Sequence, residues 1–140
     1  MSNIFHLAIP AGNLDVAIEF YCNVLGCRSG NSEKEKWIDI DFWGNELTLH
    51  QSSSRTEVER HHVDMGEVSV PHFGAHMPDQ EFQTLKKRLE EKKVPYLDKP
   101  YRRFKDTELE QETFFVEDPN GNVLEMKTMV NPKLLFEIKL

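Results

Sequence analysis

The order of apolar and polar residues predicts alternating strands and helices in the first half of the chain. An apolar strand is predicted over residues 5–10. Five apolar residues then recur at helical spacing: Leu14, Ala17, Ile18, Tyr21 and Leu25. Asn13 is a favourable N-cap and Gly26 a favourable end, so a helix is predicted between them. A short strand after Gly26 and alternating strands over 37–42 and 46–51 complete a β-α-β-β-β order.

The second half repeats this order. A strand over residues 71–76 is followed by a helix from about Asp79 to Lys92, with a buried stripe of Phe82, Leu85 and Leu89. Strands are predicted around 94–97 and over 111–116 and 122–128. Turns of the same kind join the last two strands of each half: Trp43-Gly44-Asn45 and Asn120-Gly121-Asn122. The pattern therefore predicts an α+β fold built from two βαβββ modules.

The length of 140 residues suits one compact domain over 1–140. Module one is predicted at about 3–52 and module two at about 70–129. A Ser-rich, charged connector lies at about 53–69, and a tail at 130–140 has a strand-like end over 134–140. Placed side by side, the modules would form one mixed sheet curled around a cleft.

Charge and composition exclude several classes of partner. A formal net charge of −7 disfavours nucleic acid and anionic membranes, because phosphate contacts require clustered Lys and Arg. No apolar run approaches the roughly 18 residues that span a bilayer, and the start of the chain does not resemble a signal peptide. Two cysteines imply no disulfide framework. We expect a cytoplasmic protein that binds a small molecule.

Strand parity indicates which side chains face the cleft. Side chains alternate between the two faces of a strand, so Glu125 lies opposite its apolar neighbours Leu124 and Met126. His6 and His72 occupy matching places in the two opening strands. Two imidazoles and one carboxylate can then converge as a metal-binding set that leaves coordination positions open. A structural role is the alternative for each residue taken alone.

Two motifs connect the chain with a known family. Residues 17–26 read Ala-Ile-Glu-Phe-Tyr-Cys-Asn-Val-Leu-Gly, and residues 114–125 read Phe-Phe-Val-Glu-Asp-Pro-Asn-Gly-Asn-Val-Leu-Glu. Together they resemble the vicinal oxygen chelate superfamily of glyoxalases, bleomycin resistance proteins and extradiol dioxygenases. The resemblance covers about residues 4–128 and implies the glyoxalase/dioxygenase-like fold. It also implies metal ligands at His6, His72 and Glu125, and a homodimer.

The fourth ligand position departs from the pattern. Aligning the two halves places Thr48 where glyoxalase I-like enzymes carry Glu or Gln, a residue that the resemblance also assigns as a base. Thr is a poor ligand for a divalent ion, so the resemblance favours three-ligand relatives. His50 lies two residues further on the same face and is a candidate acid or base near neutral pH. Its alternatives are a substitute metal ligand, if the strand register shifts, and a position at the cleft rim.

Six further residues are candidates for contacting substrate: Thr48, Arg103, Gln111, Thr113, Phe115 and Lys127. Arg103 could clamp a carboxylate or phenolate, or belong to a solvated loop. Parity places Gln111, Thr113 and Phe115 on the cleft face. Lys127 shares the face of Glu125 and could pair with it or with substrate.

Three functions remain open. The first is a metal-dependent, dioxygenase-like enzyme for a small aromatic or vicinal-oxygen substrate. The second is a lyase or isomerase of the glyoxalase or epimerase kind, with His50 as base. The third is a metal-free binding or resistance protein. Fe²⁺ or Mn²⁺ is the favoured metal, although two His and one Glu also suit Zn²⁺, Ni²⁺ or Co²⁺.

Overall fold

The computed structural model describes residues 3–63 and 66–137. The chain divides into two compact units. Unit 1 comprises the chain up to Val58 together with Glu117–Asn122, and unit 2 comprises the remainder. No helix of the described ranges is both long and apolar enough to cross a membrane.

Unit 1 is a four-stranded mixed sheet with one helical segment. Its elements are strand β1 (His6–Gly12), helix α1 (Leu14–Ile18), and strands β2 (Arg28–Glu33), β3 (Trp37–Phe42) and β4 (Asn45–Gln51). The strand order is β1-β4-β3-β2, with β1 and β4 parallel and the other pairs antiparallel. The predicted βαβββ order of the first half is confirmed.

The helical segment of unit 1 begins where the sequence predicts. The Asn13 side chain accepts a hydrogen bond from the Val16 amide at 3.1 Å and caps α1. The segment then widens into a π-helix over Glu19–Val24, which periodicity does not reveal. Gly26, with φ +85°, follows it. The buried residues of the segment and its end are Leu14, Ala17, Phe20, Tyr21 and Leu25.

Unit 2 repeats this topology. Its sheet contains β7 (Phe73–His76), β8 (Asp98–Arg103), β9 (Gln111–Glu117) and β10 (Val123–Met129), and its helix is α2 (Asp79–Glu91). The strand order is β7-β10-β9-β8, and β7 runs parallel to β10. The predicted α+β class with two βαβββ modules is therefore confirmed.

Three segments differ from the sequence prediction. The predicted connector contains a hairpin of β5 (Glu59–Val63) and β6 (Gly66–Val70), and its residues 64 and 65 lie outside the described ranges. The strand expected around 94–97 lies later, at β8. The tail forms a 3₁₀ turn over Pro132–Leu134, with no strand in its described part, and residues 138–140 lie outside it.

The turn between β9 and β10 is held by a buried carboxylate. Asp118 is 4% exposed and accepts the Tyr21 hydroxyl at 2.8 Å. It also accepts the backbone amides of Asn120 and Asn122 at 2.8 and 2.9 Å. Burial and the Asp118 carboxylate raise the pKa of Tyr21 well above its ordinary value, so this hydroxyl remains a donor. The turn is thereby fixed within unit 1.

Candidate metal centre

In both units the helix covers one face of the sheet. The apolar side chains of β4, Leu47 and Leu49, are buried, as are Leu124 and Met126 of β10. Helix α1 packs on β1 and β4, and α2 packs on β10. The predicted site residues of the two closing strands alternate with these apolar residues, so they lie on the face opposite the helix.

Unit 2 brings two predicted metal ligands together. The Nε2 atom of His72 lies 3.1 Å from Glu125 Oε1, and the two side chains are 27% and 7% exposed. His72 Nδ1 lies 2.6 Å from the Ser69 carbonyl, to which it donates. This contact orients the ring and leaves Nε2 as the nitrogen that faces Glu125.

Thr113 and Lys127 fix the carboxylate from the other side. The Thr113 hydroxyl donates to Glu125 Oε2 at 2.6 Å, and the Lys127 ammonium lies 3.6 Å from Oε1. Burial raises the pKa of Glu125, but the hydrogen bonds from His72 and Thr113 and the charge of Lys127 outweigh it and hold the pKa below its ordinary value. The carboxylate is therefore ionised and held in place.

The same pair keeps the metal-free His72 protonated to higher pH. The hydrogen bond to Glu125 raises the pKa of His72 above its ordinary value, and burial only partly opposes it. The rings of His72 and Phe115 pack at right angles, with centroids 5.2 Å apart. Phe115 itself is 1% exposed, so it supports the imidazole from within the core.

A glycine allows the strand of His72 to approach the strand of Glu125. Gly74 is the register partner of Glu125 in the parallel pair of β7 and β10. A Cβ atom at this position would overlap the backbone carbonyl of Glu125. Gly74 does not adopt a left-handed backbone conformation, so conformational freedom is not the reason for glycine here. Glycine is required because the two strands approach each other too closely for a Cβ atom.

Unit 1 repeats the register with different side chains. Ala8 pairs with Thr48 in β1 and β4, and it follows His6 by two residues, as Gly74 follows His72. Thr48 therefore takes the structural place of Glu125. Its hydroxyl donates to Asp39 Oδ1 on the neighbouring strand at 2.7 Å.

His6 lies on the same face of unit 1 and is paired with Glu46. Its Nδ1 atom is 2.7 Å from Glu46 Oε1, and the side chains are 56% and 48% exposed. This contact orients His6 as Ser69 orients His72, and leaves Nε2 as the nitrogen for a ligand. His50 lies on this face opposite Trp37 and is exposed.

Two further candidates lie on the open face of unit 2. Arg103 is the register partner of Gln111, and its guanidinium lies 4.9 Å from the Phe104 ring. Gln111 is buried and donates to the Leu109 carbonyl at 3.4 Å. Arg103 thus belongs to β8 rather than to a loop. The substrate contacts of these residues stay predictions.

The chemistry of His72 and Glu125 fits a divalent metal. Two ligands at right angles, each with a bond of about 2.1 Å, place their donor atoms about 3 Å apart. The observed 3.1 Å between Nε2 and Oε1 agrees with adjacent coordination positions. Neither unit, in its described residues, gathers three His, Cys, Asp or Glu side chains at metal-binding distance. The pair alone would thus be the rigid part of such a site.

Sequence reasoning missed three supporting groups. Ser69 and Glu46 orient the two histidines, and Asp39 holds Thr48. The residue type of Asp39 gave no signal, because it is one of several acidic residues in an alternating strand. Only its register with Thr48 identifies it.

Comparison with known proteins identifies the family. The sequence model of the glyoxalase/bleomycin resistance protein/dioxygenase superfamily matches residues 3–126. The chain belongs to this superfamily. The resemblance inferred from the two sequence motifs is thus confirmed. Members of the superfamily bind small molecules, generally bind a divalent metal and are typically oligomeric.

Solved structures of the superfamily share the fold. A glyoxalase/bleomycin resistance protein/dioxygenase from Alicyclobacillus acidocaldarius is 34% identical, with 96% of each chain covered and a TM-score of 0.78. A lactoylglutathione lyase from Agrobacterium tumefaciens is 25% identical over 97% of this chain and 98% of that one, with a TM-score of 0.68.

A more distant solved structure also shares the fold. A genomically encoded fosfomycin resistance protein from Listeria monocytogenes is 14% identical, with a TM-score of 0.64 over 91% of this chain and 93% of that one. At this identity the likeness shows the fold alone. Related folds therefore serve different reactions, and the site has to decide among them.

Proposed function

We propose that this protein is a divalent-metal-dependent enzyme, with His72 and Glu125 as the central ligands and His6 as the third. The main observation in support of the proposal is that His72 Nε2 and Glu125 Oε1 face each other and lie 3.1 Å apart. Ser69 and Thr113 hold these groups by hydrogen bonds to the atoms that would not bind metal. Such supporting contacts are characteristic of metal ligands.

The leading reaction is dioxygenase-like chemistry on a small aromatic or vicinal-oxygen substrate. Thr48 is neutral and donates its hydroxyl to Asp39, so it does not supply a fourth anionic ligand. The three-ligand set leaves coordination positions for two substrate oxygens. Fe²⁺ or Mn²⁺ is the proposed ion, which would supply Lewis acidity and redox chemistry with dioxygen.

The chain's own residues orient and shield the site. Thr113 and Lys127 hold the Glu125 carboxylate ionised, and the Phe115 ring packs at a right angle to the His72 ring. We propose that Arg103 and Gln111 contact the substrate from the neighbouring strands. The Arg103 guanidinium suits a carboxylate or phenolate.

The second candidate is a glyoxalase-like lyase or an isomerase. The likeness to the lactoylglutathione lyase from Agrobacterium tumefaciens favours it. In that case His50, which is exposed on the open face of unit 1, would act as the base.

Metal content and oxygen uptake separate the candidates. We expect one equivalent of metal in the purified protein, and its loss in His72→Ala. A dioxygenase would consume oxygen with at least one of a panel of catechols after loading with Fe²⁺. Oxygen uptake that stays at background with metal bound would favour the lyase or isomerase. Absence of metal binding would exclude both.

A further inference from the structure

A cavity of about 410 Å³ lies within unit 2, where β7 and β10 end and α2 begins. Six of its eight lining residues are apolar, and the two polar ones are His76 and Asp79. Small-molecule sites typically have volumes of about 300–1,000 Å³ and a mainly apolar lining with a few polar groups. The cavity therefore has the size and the composition of a site for one small molecule.

The cavity forms because the two strands separate at this point. The Met77 amide still donates to the Lys127 carbonyl at 2.9 Å, after which the chain enters α2. The Val130 amide donates instead to the Glu110 carbonyl at 3.0 Å, beside the start of β9. Pro132, in the 3₁₀ turn that follows, lines the cavity. Hydrogen-bonded backbone thus borders the cavity on both sides.

The apolar lining combines buried methionines with exposed aliphatic side chains. Met77 and Met129 are 6% and 8% exposed, whereas Val130 and Leu135 are 60% and 40% exposed. Exposed apolar side chains that adjoin a concave surface are a feature of ligand-binding grooves. Thioether sulfurs make favourable contacts with aromatic rings. The lining therefore favours an aromatic ligand.

The polar groups at the cavity favour a ligand without net charge. Asp79 would repel an anion, and its Oδ1 already accepts the Gln83 side-chain amide at 3.1 Å. Partial burial and the Lys127 charge lower the pKa of His76, although Glu125 opposes them, so its imidazole is neutral at neutral pH. A neutral imidazole has one nitrogen that accepts a hydrogen bond. The Lys127 charge near His76 would also repel a cation.

We propose that this cavity binds a small neutral aromatic molecule that carries a hydroxyl or N–H group. The ring contacts Met77 and Met129, and the polar group donates a hydrogen bond to His76. Phenols and indoles are the ligand class. None of the lining residues is a proposed metal ligand, so the inference goes beyond the proposed metal-dependent function and does not depend on it.

The test compares three probes of similar size and different charge: p-cresol, p-toluate and p-methylbenzylammonium. Metal-free protein in a chelating buffer carries carbon-13 in its methionine methyl groups, and their NMR signals are followed as each probe is added. Met77 and Met129 report on the cavity. Met126, which is fully buried on the helix side of β10, is the reference.

We expect p-cresol to shift the Met77 and Met129 signals and to leave the Met126 signal in place. The two charged probes should bind at least about tenfold more weakly, because each would carry a charge into an apolar cavity that offers it no partner.

Three variants test the lining residues. Leu135→Glu should weaken p-cresol binding at least about fivefold, because it removes apolar contact. Phe136→Glu adds the same charge one residue away, at a side chain that is 92% exposed and does not line the cavity, and should change binding less than about twofold. His76→Phe keeps a ring but has no acceptor, and should weaken binding about two- to tenfold. An unchanged Met126 signal shows that each variant is folded.

Several results would overturn the inference. They are the absence of a shift at Met77 and Met129 with p-cresol at about 10 mM, equal affinity for the three probes, and equal losses in Leu135→Glu and Phe136→Glu. A shift of these signals on dilution without any probe would show instead that a second copy of the chain covers the cavity. All of these measurements use metal-free protein, so their failure would leave the metal proposal standing.

Discussion

The two units share a backbone register but differ in the environment of the histidine. His72 and Glu125 are largely buried in unit 2, whereas His6 and Glu46 are about half exposed in unit 1. Exposed ion pairs contribute little because water screens them, while buried ones are strongly coupled to the fold. One topology therefore carries a largely buried His–Glu pair in one unit and a half-exposed one in the other.

The turns that precede the last strand of each sheet show a second difference in burial, here within unit 1. Asp118 holds its turn from a buried position, whereas Asp41 accepts the Gly44 amide at 2.8 Å in an exposed one. We expect Asp118→Ala to lower the free energy of unfolding by about 3–5 kcal/mol, since it leaves the Tyr21 hydroxyl and two amides without an acceptor. Asp41→Ala should have a much smaller effect in the same urea titrations. Equal losses would contradict the distinction.

Metal affinity should depend more on His72 than on His6. Loss of a supporting contact typically costs 10–100-fold in metal affinity, so His72→Ala should exceed about 100-fold. His6→Ala should cost about tenfold, because the remaining pair is held by Ser69 and Thr113. Competition with a chromophoric chelator measures both constants. A larger loss for His6→Ala would reverse the proposed division between the units.

In unit 1 the Thr48 hydroxyl on β4 donates to the Asp39 carboxylate on β3, whereas in unit 2 the Thr113 hydroxyl on β9 donates to the Glu125 carboxylate on β10. Exchanging the hydroxyl and the carboxylate between β3 and β4 should make unit 1 resemble unit 2. The double variant Asp39→Thr with Thr48→Glu places a carboxylate on the strand next to β1, where a metal held by His6 could use it. We expect metal binding about tenfold tighter than in wild type. Thr48→Glu alone should gain less, because the new carboxylate faces Asp39. No gain in the double variant would contradict the proposed role of His6 as a metal ligand.

The smallest expected effect is on the stability of the metal-free protein. The pKa of His72 is raised above its ordinary 6.5, so its contribution is complete below that pH and lost as pH rises through the folded value. The pKa of Glu125 is held below its ordinary 4.5, so its contribution is lost only in more acidic solution.

Urea unfolding in a chelating buffer tests this dependence. Wild-type protein should lose more stability between about pH 5.5 and about pH 8.5 than His72→Gln does. The difference between the two proteins isolates the pair from other titrating groups. Parallel pH curves would show that His72 and Glu125 do not stabilise the metal-free fold.

Much of the fold could be predicted because local chemistry and packing agree. Asn13 caps a helical segment and Gly26 follows it, as their residue types favour. The alternation around Leu47 and Leu49 predicted which face is buried. The repeat also predicted that Thr48 corresponds to Glu125, and the strand register agrees.

The hairpin in the connector was missed because its first strand is almost entirely charged or polar and its second strand contributes only Val68 and Val70 as large apolar residues. Its strands are rich in charged and polar residues, and Arg60 donates to the Ser69 hydroxyl at 2.9 Å across the pair. Backbone pairing and such polar contacts leave no hydrophobic period in the sequence. The π-helix was missed for a related reason, since the residues of Glu19–Val24 also fit an α-helix.

The partners of the site residues could not be predicted, because they depend on register and burial. Asp39 and Thr48 are nine positions apart, and only the antiparallel pairing of their strands makes them neighbours. The Ser69 carbonyl is a backbone group, so its contact with His72 leaves no mark in the residue type. Strand parity predicts which face of the sheet a side chain occupies, but its hydrogen-bond partners can be identified only from the three-dimensional structure.

Gly74 makes the internal symmetry of this protein easier to restore in one direction than in the other. A designer who copied the first half onto the second would place the methyl group of Ala8 at position 74, against the backbone carbonyl of Glu125. The reverse copy, Ala8→Gly, adds no atoms and costs only about 1 kcal/mol of chain entropy. Symmetrised versions of the chain should therefore be built from the second half.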